Sequence, residues 1–272
     1  MYIIIPALIS NEESSKALQK TIDNIEWKYV KKLILISQGE MPKITLPQSD
    51  KFVHEYYDKG LTKWIAIQKG FKYLEGDEMV MLLDGDDPIE KNSFKELMEE
   101  ISTTRADWMV GKRDEIILYS SDQHGQNSRL YLELFTNTLL ILLDELREVY
   151  KGNTPDIQSG VYIIRANILK TIDFSDVKSY GGELTIFHQL SMRGVRCESV
   201  DIVTNASLQS SYRFKTIVEA IFDFRFFKSR LNEKILRICG ELTPAMYPEY
   251  FRNLDLEEYR REVANIVALA DF

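Results

Sequence analysis

Met79-Val80-Met81-Leu82-Leu83-Asp84-Gly85-Asp86-Asp87 is the stretch on which the reading of this chain turns. Five apolar residues in a row, bounded by Gly76 and Gly85, match a strand buried on both faces, the kind that parallel sheets contain. Three carboxylates follow at the strand's carboxyl end, where open α/β sheets place their ligands. Carboxylates this close repel one another unless a cation neutralises them. An all-oxygen cluster suits Mg2+ or Mn2+, which bind through one or two carboxylates and complete their shells with substrate phosphates. The same residues also fit an acidic turn that opens a helix, with Asp86 or Asp87 as N-cap and Pro88 at the first helical position.

Outward from the cluster, the first half of the chain alternates strand and helix patterns. Tyr2–Ile5, Leu33–Ser37, Phe52–Tyr56 and Trp108–Val110 read as strands, and 12–25, 62–74 and 93–101 as amphipathic helices. This alternation predicts an α/β fold, a mostly parallel sheet wrapped by helices on both faces. The second half is less regular. A helical region is expected over 127–150, strands over Val161–Arg165 and Cys197–Ile202, and a helix from Leu184 to Met192 that ends near Gly194. The segment from Thr216 to Ile238 is helical in pattern and mixes aromatic with basic residues. It fits either a helix packed on the core or an interfacial one. The expected organisation is a sheet domain over 1–215 and a helical extension over 216–272.

Composition narrows the function. A chain of 272 residues with 44% hydrophobic content can build one sizeable core. A formal charge of −8 argues against nucleic-acid binding by bulk charge. Cys197 and Cys239 lack metal-ligand spacing and suit a reducing compartment. No secretory leader or membrane-length apolar run is evident. The expected location is cytoplasmic, with peripheral membrane contact left open by the aromatic-basic segment.

Several motifs now stand in a recognisable order. Ile3-Ile4-Ile5-Pro6 is followed by Asn11-Glu12-Glu13; Lys59-Gly60, Ala66, Gly70 and Gly76-Asp77 precede the Asp cluster; Val110-Gly111-Lys112-Arg113 and Pro155-Asp156-Ile157-Gln158-Ser159-Gly160 come after it. Together they resemble the family-2 inverting glycosyltransferases of GT-A fold, from Tyr2 to about Lys215. The resemblance implies a GT-A-like nucleotide-diphospho-sugar-binding sheet and transfer of a sugar from that donor with inversion. Mn2+ or Mg2+ is the implied cofactor. Asp84 and Asp86 match the family's Asp-any-Asp motif, the first touching ribose or metal and the second holding the metal that bridges the diphosphate. Donor contacts are implied for Pro6, Glu12, Gln38, Gly60, Asp156 and Gly160, and for Arg213 and Lys215 in the closing basic segment. Glu183 falls on the general-base position of the hydroxyl-transferring branch. In the polyprenol-phosphate branch the matching acid would fall on Thr185.

The chain also departs from the family. Two extra residues separate Pro6 from Asn11. Gln38 stands where an Asp usually holds the base, and Gly182 replaces the acidic neighbour of Glu183. Lys59 or Lys63 could face phosphate, and Lys63 is read as lying on an exposed helix face. The acceptor stays open among a sugar, a metabolite and a polyprenyl phosphate. Two other readings remain: a degenerate, sugar-nucleotide-binding partner subunit, and an aspartyl-nucleophile phosphatase. The second fits poorly because the Asp motif comes late in the chain and is followed by Pro88.

Overall fold

The computed structural model describes residues 1–45, 47, 49–86, 89–113, 156, 159–175, 177, 181–195, 197–204, 241, 245, 255–257, 260, 261 and 264. In chain order these form β1 (Tyr2–Ile9), α1 (Glu12–Asp23), β2 (Lys32–Gly39), β3 (Phe52–Tyr57), α2 (Lys63–Gly70), β4 (Met79–Leu83), α3 (Lys91–Thr103), β5 (Trp108–Arg113), β6 (Val161–Arg165), α4 (Ala166–Leu169), α5 (Gly182–Met192) and β7 (Cys197–Ile202). The expected helices over 127–150 and 216–238, and the boundary at 215, lie outside the described residues.

The strands form one sheet in the order β3-β2-β1-β4-β6-β5-β7. All neighbours are parallel except β6, which runs antiparallel to both β4 and β5. Side chains alternate across the pleat, so each central strand feeds two cores. Ile4, Ile34, Ile36, Leu82 and Tyr162 face one side with Trp64 and Ile67 of α2 and Ile186, Phe187 and Leu190 of α5. Ile3, Ile5, Leu35, Met81 and Leu83 face the other, with Leu18 and Ile22 of α1 and Phe94 and Leu97 of α3. This two-sided burial is why the β4 run is continuously apolar. Each fully buried large side chain stabilises the fold by about 1.5–3 kcal/mol. Leu256, close to the C-terminus, packs against the α2–α5 core.

The structure departs from the expected elements at several of their ends. β1 runs on to Ile9 and β2 to Gly39, in register throughout, so the two extra residues after Pro6 lengthen the strand. Asn11 then caps α1: its side chain accepts from the Ser14 N–H at 2.9 Å, and the Ser14 hydroxyl oxygen accepts from the Asn11 N–H at 3.1 Å, a capping box. Helix α3 begins only at Lys91, with Glu90 at the cap position. Asp86 therefore caps no helix, and Ile89 instead bridges Thr204.

Candidate active site

Asp84 leaves the carboxyl end of β4 beside the start of β6. Its N–H donates to the Gly160 carbonyl at 3.0 Å, one residue beyond the Leu83–Val161 pair. Gly160 has φ +71, and a Cβ there would lie 2.7 Å from Asp84 Oδ2. A larger residue would thus both strain the backbone and push the carboxylate aside. Gly85 fits between β1 and α1, where a Cβ would meet Ile5, Ala7 and Leu18 at 3.3 Å. Its carbonyl accepts from the Thr21 hydroxyl at 3.1 Å. This packing turns the chain off the strand and leaves Asp86 exposed.

The start of α2 brings a cation to Asp84. Gln38 holds the preceding turn from both sides, donating to the Leu61 carbonyl at 3.0 Å and accepting from the Leu61 N–H. Gly60, with φ +91, makes that turn, and Thr62 caps the helix. The next residue, Lys63, places Nζ 2.8 Å from Asp84 Oδ1, 3.0 Å from Oδ2 and 2.8 Å from Glu183 Oε1. This corrects the reading of Lys63 as an exposed helix-face residue: its side chain is only 26% exposed. The partners that bury it come from distant points of the chain.

Glu183 is the second residue of α5 and its side chain is 13% exposed. Burial raises its pKa above the ordinary glutamate value; Lys63 opposes that rise and the Asp84 charge adds to it. Burial alone would depress the Lys63 pKa, but Asp84 and Glu183 outweigh it and hold the ammonium firmly charged. Two carboxylates thus converge on one ammonium at the N-termini of two helices, which favour negative charge.

The structure gives a physical account of Gly182. A Cβ at this position would fall within the Trp64 indole, against Cε2, Cδ2 and Nε1. Trp64 is 1% exposed and stacks on Phe174 with centroids 5.2 Å apart. Its Nε1 has no hydrogen-bond partner among the described residues. The indole occupies the volume that a second acidic side chain would need. Thr185, the alternative acid position, is buried and donates its hydroxyl to the Gly181 carbonyl at 2.9 Å.

The remaining residues named from the sequence have contacts of their own or lie outside the described residues. Pro6 lies on β1 beyond its last residue paired with β4. Glu12 is exposed on α1 and pairs with Lys16 at 2.8 Å. Asp156 is buried and takes the Arg113 guanidinium in a two-pronged pair, Nε to Oδ2 at 2.7 Å and Nη2 to Oδ1 at 3.0 Å. Asp87, Arg213 and Lys215 lie outside the described residues. Sequence reasoning missed Trp64 altogether. Its signal was the coincidence of a bulky aromatic beside Lys63 with a glycine beside Glu183.

Residues 2–172 match the model of glycosyl transferase family 2. The chain belongs to that family. It is a glycosyltransferase, and its mixed seven-stranded sheet is the GT-A fold. Its structural likeness is to glucosyl-3-phosphoglycerate synthase from Mycobacterium tuberculosis. The complex of that enzyme with Mn2+, uridine diphosphate and phosphoglyceric acid is 16% identical, covers 82% of this chain and 76% of its own, and has a TM-score of 0.57. The complex with Mn2+, UDP-glucose and phosphoglyceric acid is 17% identical, covers 88% and 79%, and has a TM-score of 0.55. No curated protein matches the chain. Among the described residues, no helix is long and apolar enough to cross a membrane.

Proposed function

We propose that this glycosyltransferase moves a sugar from a uridine-diphospho-sugar to an acceptor hydroxyl with inversion. The observation that carries this reading is the meeting of Asp84 and Glu183 on one ammonium, each 2.8 Å from Lys63 Nζ. It brings the donor anchor and a carboxylate of raised pKa into one cleft. Glu183 takes the proton of the acceptor hydroxyl as its oxygen bonds to the anomeric carbon, and the bond to the nucleoside diphosphate breaks on the opposite side. A base matters for a hydroxyl acceptor and not for a phosphate one, and the polyprenol-phosphate position holds Thr185 in place of an acid. The uridine assignment is supported by the solved relatives, which are complexes with uridine diphosphate or UDP-glucose.

Asp84 and the exposed Asp86 are the residues that would hold Mn2+ or Mg2+. Their hard carboxylate oxygens fit such an ion. Among the described residues no group of three His, Cys, Asp or Glu side chains could hold an ion. When bound, the cation stabilises the charge that develops on the leaving diphosphate. The catalytic unit is assigned to 1–215 and the extension to 216–272.

The test is thermal stabilisation by a panel of nucleoside diphosphates with and without Mn2+. Stabilisation by uridine diphosphate that needs Mn2+, and that is lost in D84N and D86N, supports the reading. The same stabilisation in both variants refutes the metal site. Hydrolysis of simple phosphate esters would favour the phosphatase instead.

A further inference from the structure

Lys63 contacts both oxygens of Asp84 and also Glu183, so the carboxylate assigned to the metal already has a cationic partner. A divalent cation on Asp84 would stand within a few ångströms of that ammonium, and like charges at this range repel strongly in a partly buried site. Lys63 cannot keep both Asp84 contacts while Asp84 ligates a cation. The backbone that carries Lys63 is fixed, because Thr62 caps the helix at that point and Gln38 holds Leu61 from both sides, so any relief comes from the side chain. The added negative charge of a nucleoside diphosphate removes the conflict by compensating both cations together.

We propose that Lys63 is the resting counter-ion of the donor site and makes cation binding conditional on the nucleotide. It holds Asp84 and Glu183 around one ammonium until donor and cation arrive together. This deepens the functional reading above and rests on its metal site. The consequence is a positive coupling between nucleotide and cation that depends on one side chain, whose charge opposes the cation when the nucleotide is absent.

The experiment measures Mn2+ affinity by calorimetry, with and without uridine diphosphate, in wild type, K63M and K63R. The wild type is expected to bind Mn2+ weakly alone and more tightly with the nucleotide. K63M is expected to bind Mn2+ alone at least about fivefold more tightly, the lower end of ordinary coupling effects, and to lose most of the nucleotide dependence. K63R, which keeps the charge, should behave as wild type. Equal or weaker Mn2+ binding by folded K63M overturns the proposal. If K63M does not fold, reductive methylation of the wild type read by mass spectrometry decides. Lys63 modification should rise when Mn2+ is added at saturating concentration, and an unchanged rate overturns the proposal. Mn2+-dependent nucleotide binding that is lost in D86N keeps the metal-site reading standing if the Lys63 result is negative. Its absence from the wild type overturns both.

Discussion

The indole of Trp64 fills the space that any side chain at position 182 would need, so residues 64 and 182 are sterically linked across the start of α5. G182A should destabilise the protein by about 2 kcal/mol, in the range of overpacked cores, and G182D by more. W64A should remove the clash but leave a cavity, so the double variant G182A/W64A should lose less than the two single losses together. Denaturant unfolding checks this. Strict additivity would show that the indole is not what excludes a Cβ at 182.

Gly160 supports the Asp84 carboxylate through a left-handed backbone and a bare α-carbon. G160A should cost about 1–3 kcal/mol of stability from backbone strain and also abolish Mn2+-dependent stabilisation by uridine diphosphate. A variant that loses stability but binds nucleotide normally would separate Gly160 from the Asp84 site.

Glu183 should give the reaction an acid limb. Burial is the largest influence raising its pKa, with the Asp84 charge in the same direction and Lys63 opposing. The ionised form is the base, so kcat/KM should rise with pH through a midpoint above the ordinary glutamate value of 4.5. E183Q should lower kcat by about 10²- to 10⁴-fold and erase that limb. The same shift makes a stability statement of opposite trend. A raised folded pKa contributes stability below the unfolded value and loses it as pH rises through the folded one. An acid limb that persists unchanged in E183Q would assign it to another group.

Glu55 should govern acid stability at the β3 edge. Burial alone would push its pKa up, but hydrogen bonds from Lys72, Tyr73 and Tyr57 outweigh this and bring it down to about 2. Its stabilisation is therefore present above the unfolded value near 4.5 and is lost as pH falls towards 2. E55Q should cost about 2 kcal/mol at neutral pH, allowing for the exposed position of Lys72, and should flatten the stability profile between those limits. A profile as steep as wild type would mean that other carboxylates dominate acid unfolding.

Local pattern carried much of the fold. The β4 run announced two-sided burial, and β4, β6 and β7 have the expected limits because each is bounded by a change of polarity or a turn residue. β1 ran longer because Ala7 and Ile9 continue the buried alternation past Pro6, a residue that reads locally as an end. The antiparallel course of β6 depends on a long connection that no local spacing encodes. Within the site, Asp84 stood out because its chemistry and its strand are adjacent in sequence. Lys63 did not, since its burial comes from Glu183, 120 residues away. The Arg113–Asp156 pair and the Gly182–Trp64 fit are non-local in the same way. Gly182 stands in place of an acid where the Trp64 indole occupies the space a side chain would need.

The antiparallel setting of β6 has an evolutionary corollary. β5 ends and β6 begins at the same rim of the sheet, in neighbouring strands whose paired residues include Val110 and Tyr162. The chain therefore leaves β5 and enters β6 at almost one point, beside Asp84. A segment anchored this way can be exchanged as a cassette while the sheet around it keeps its register. The strands β5 and β6 form a fixed socket at this rim, held by their pairing with each other and with β4.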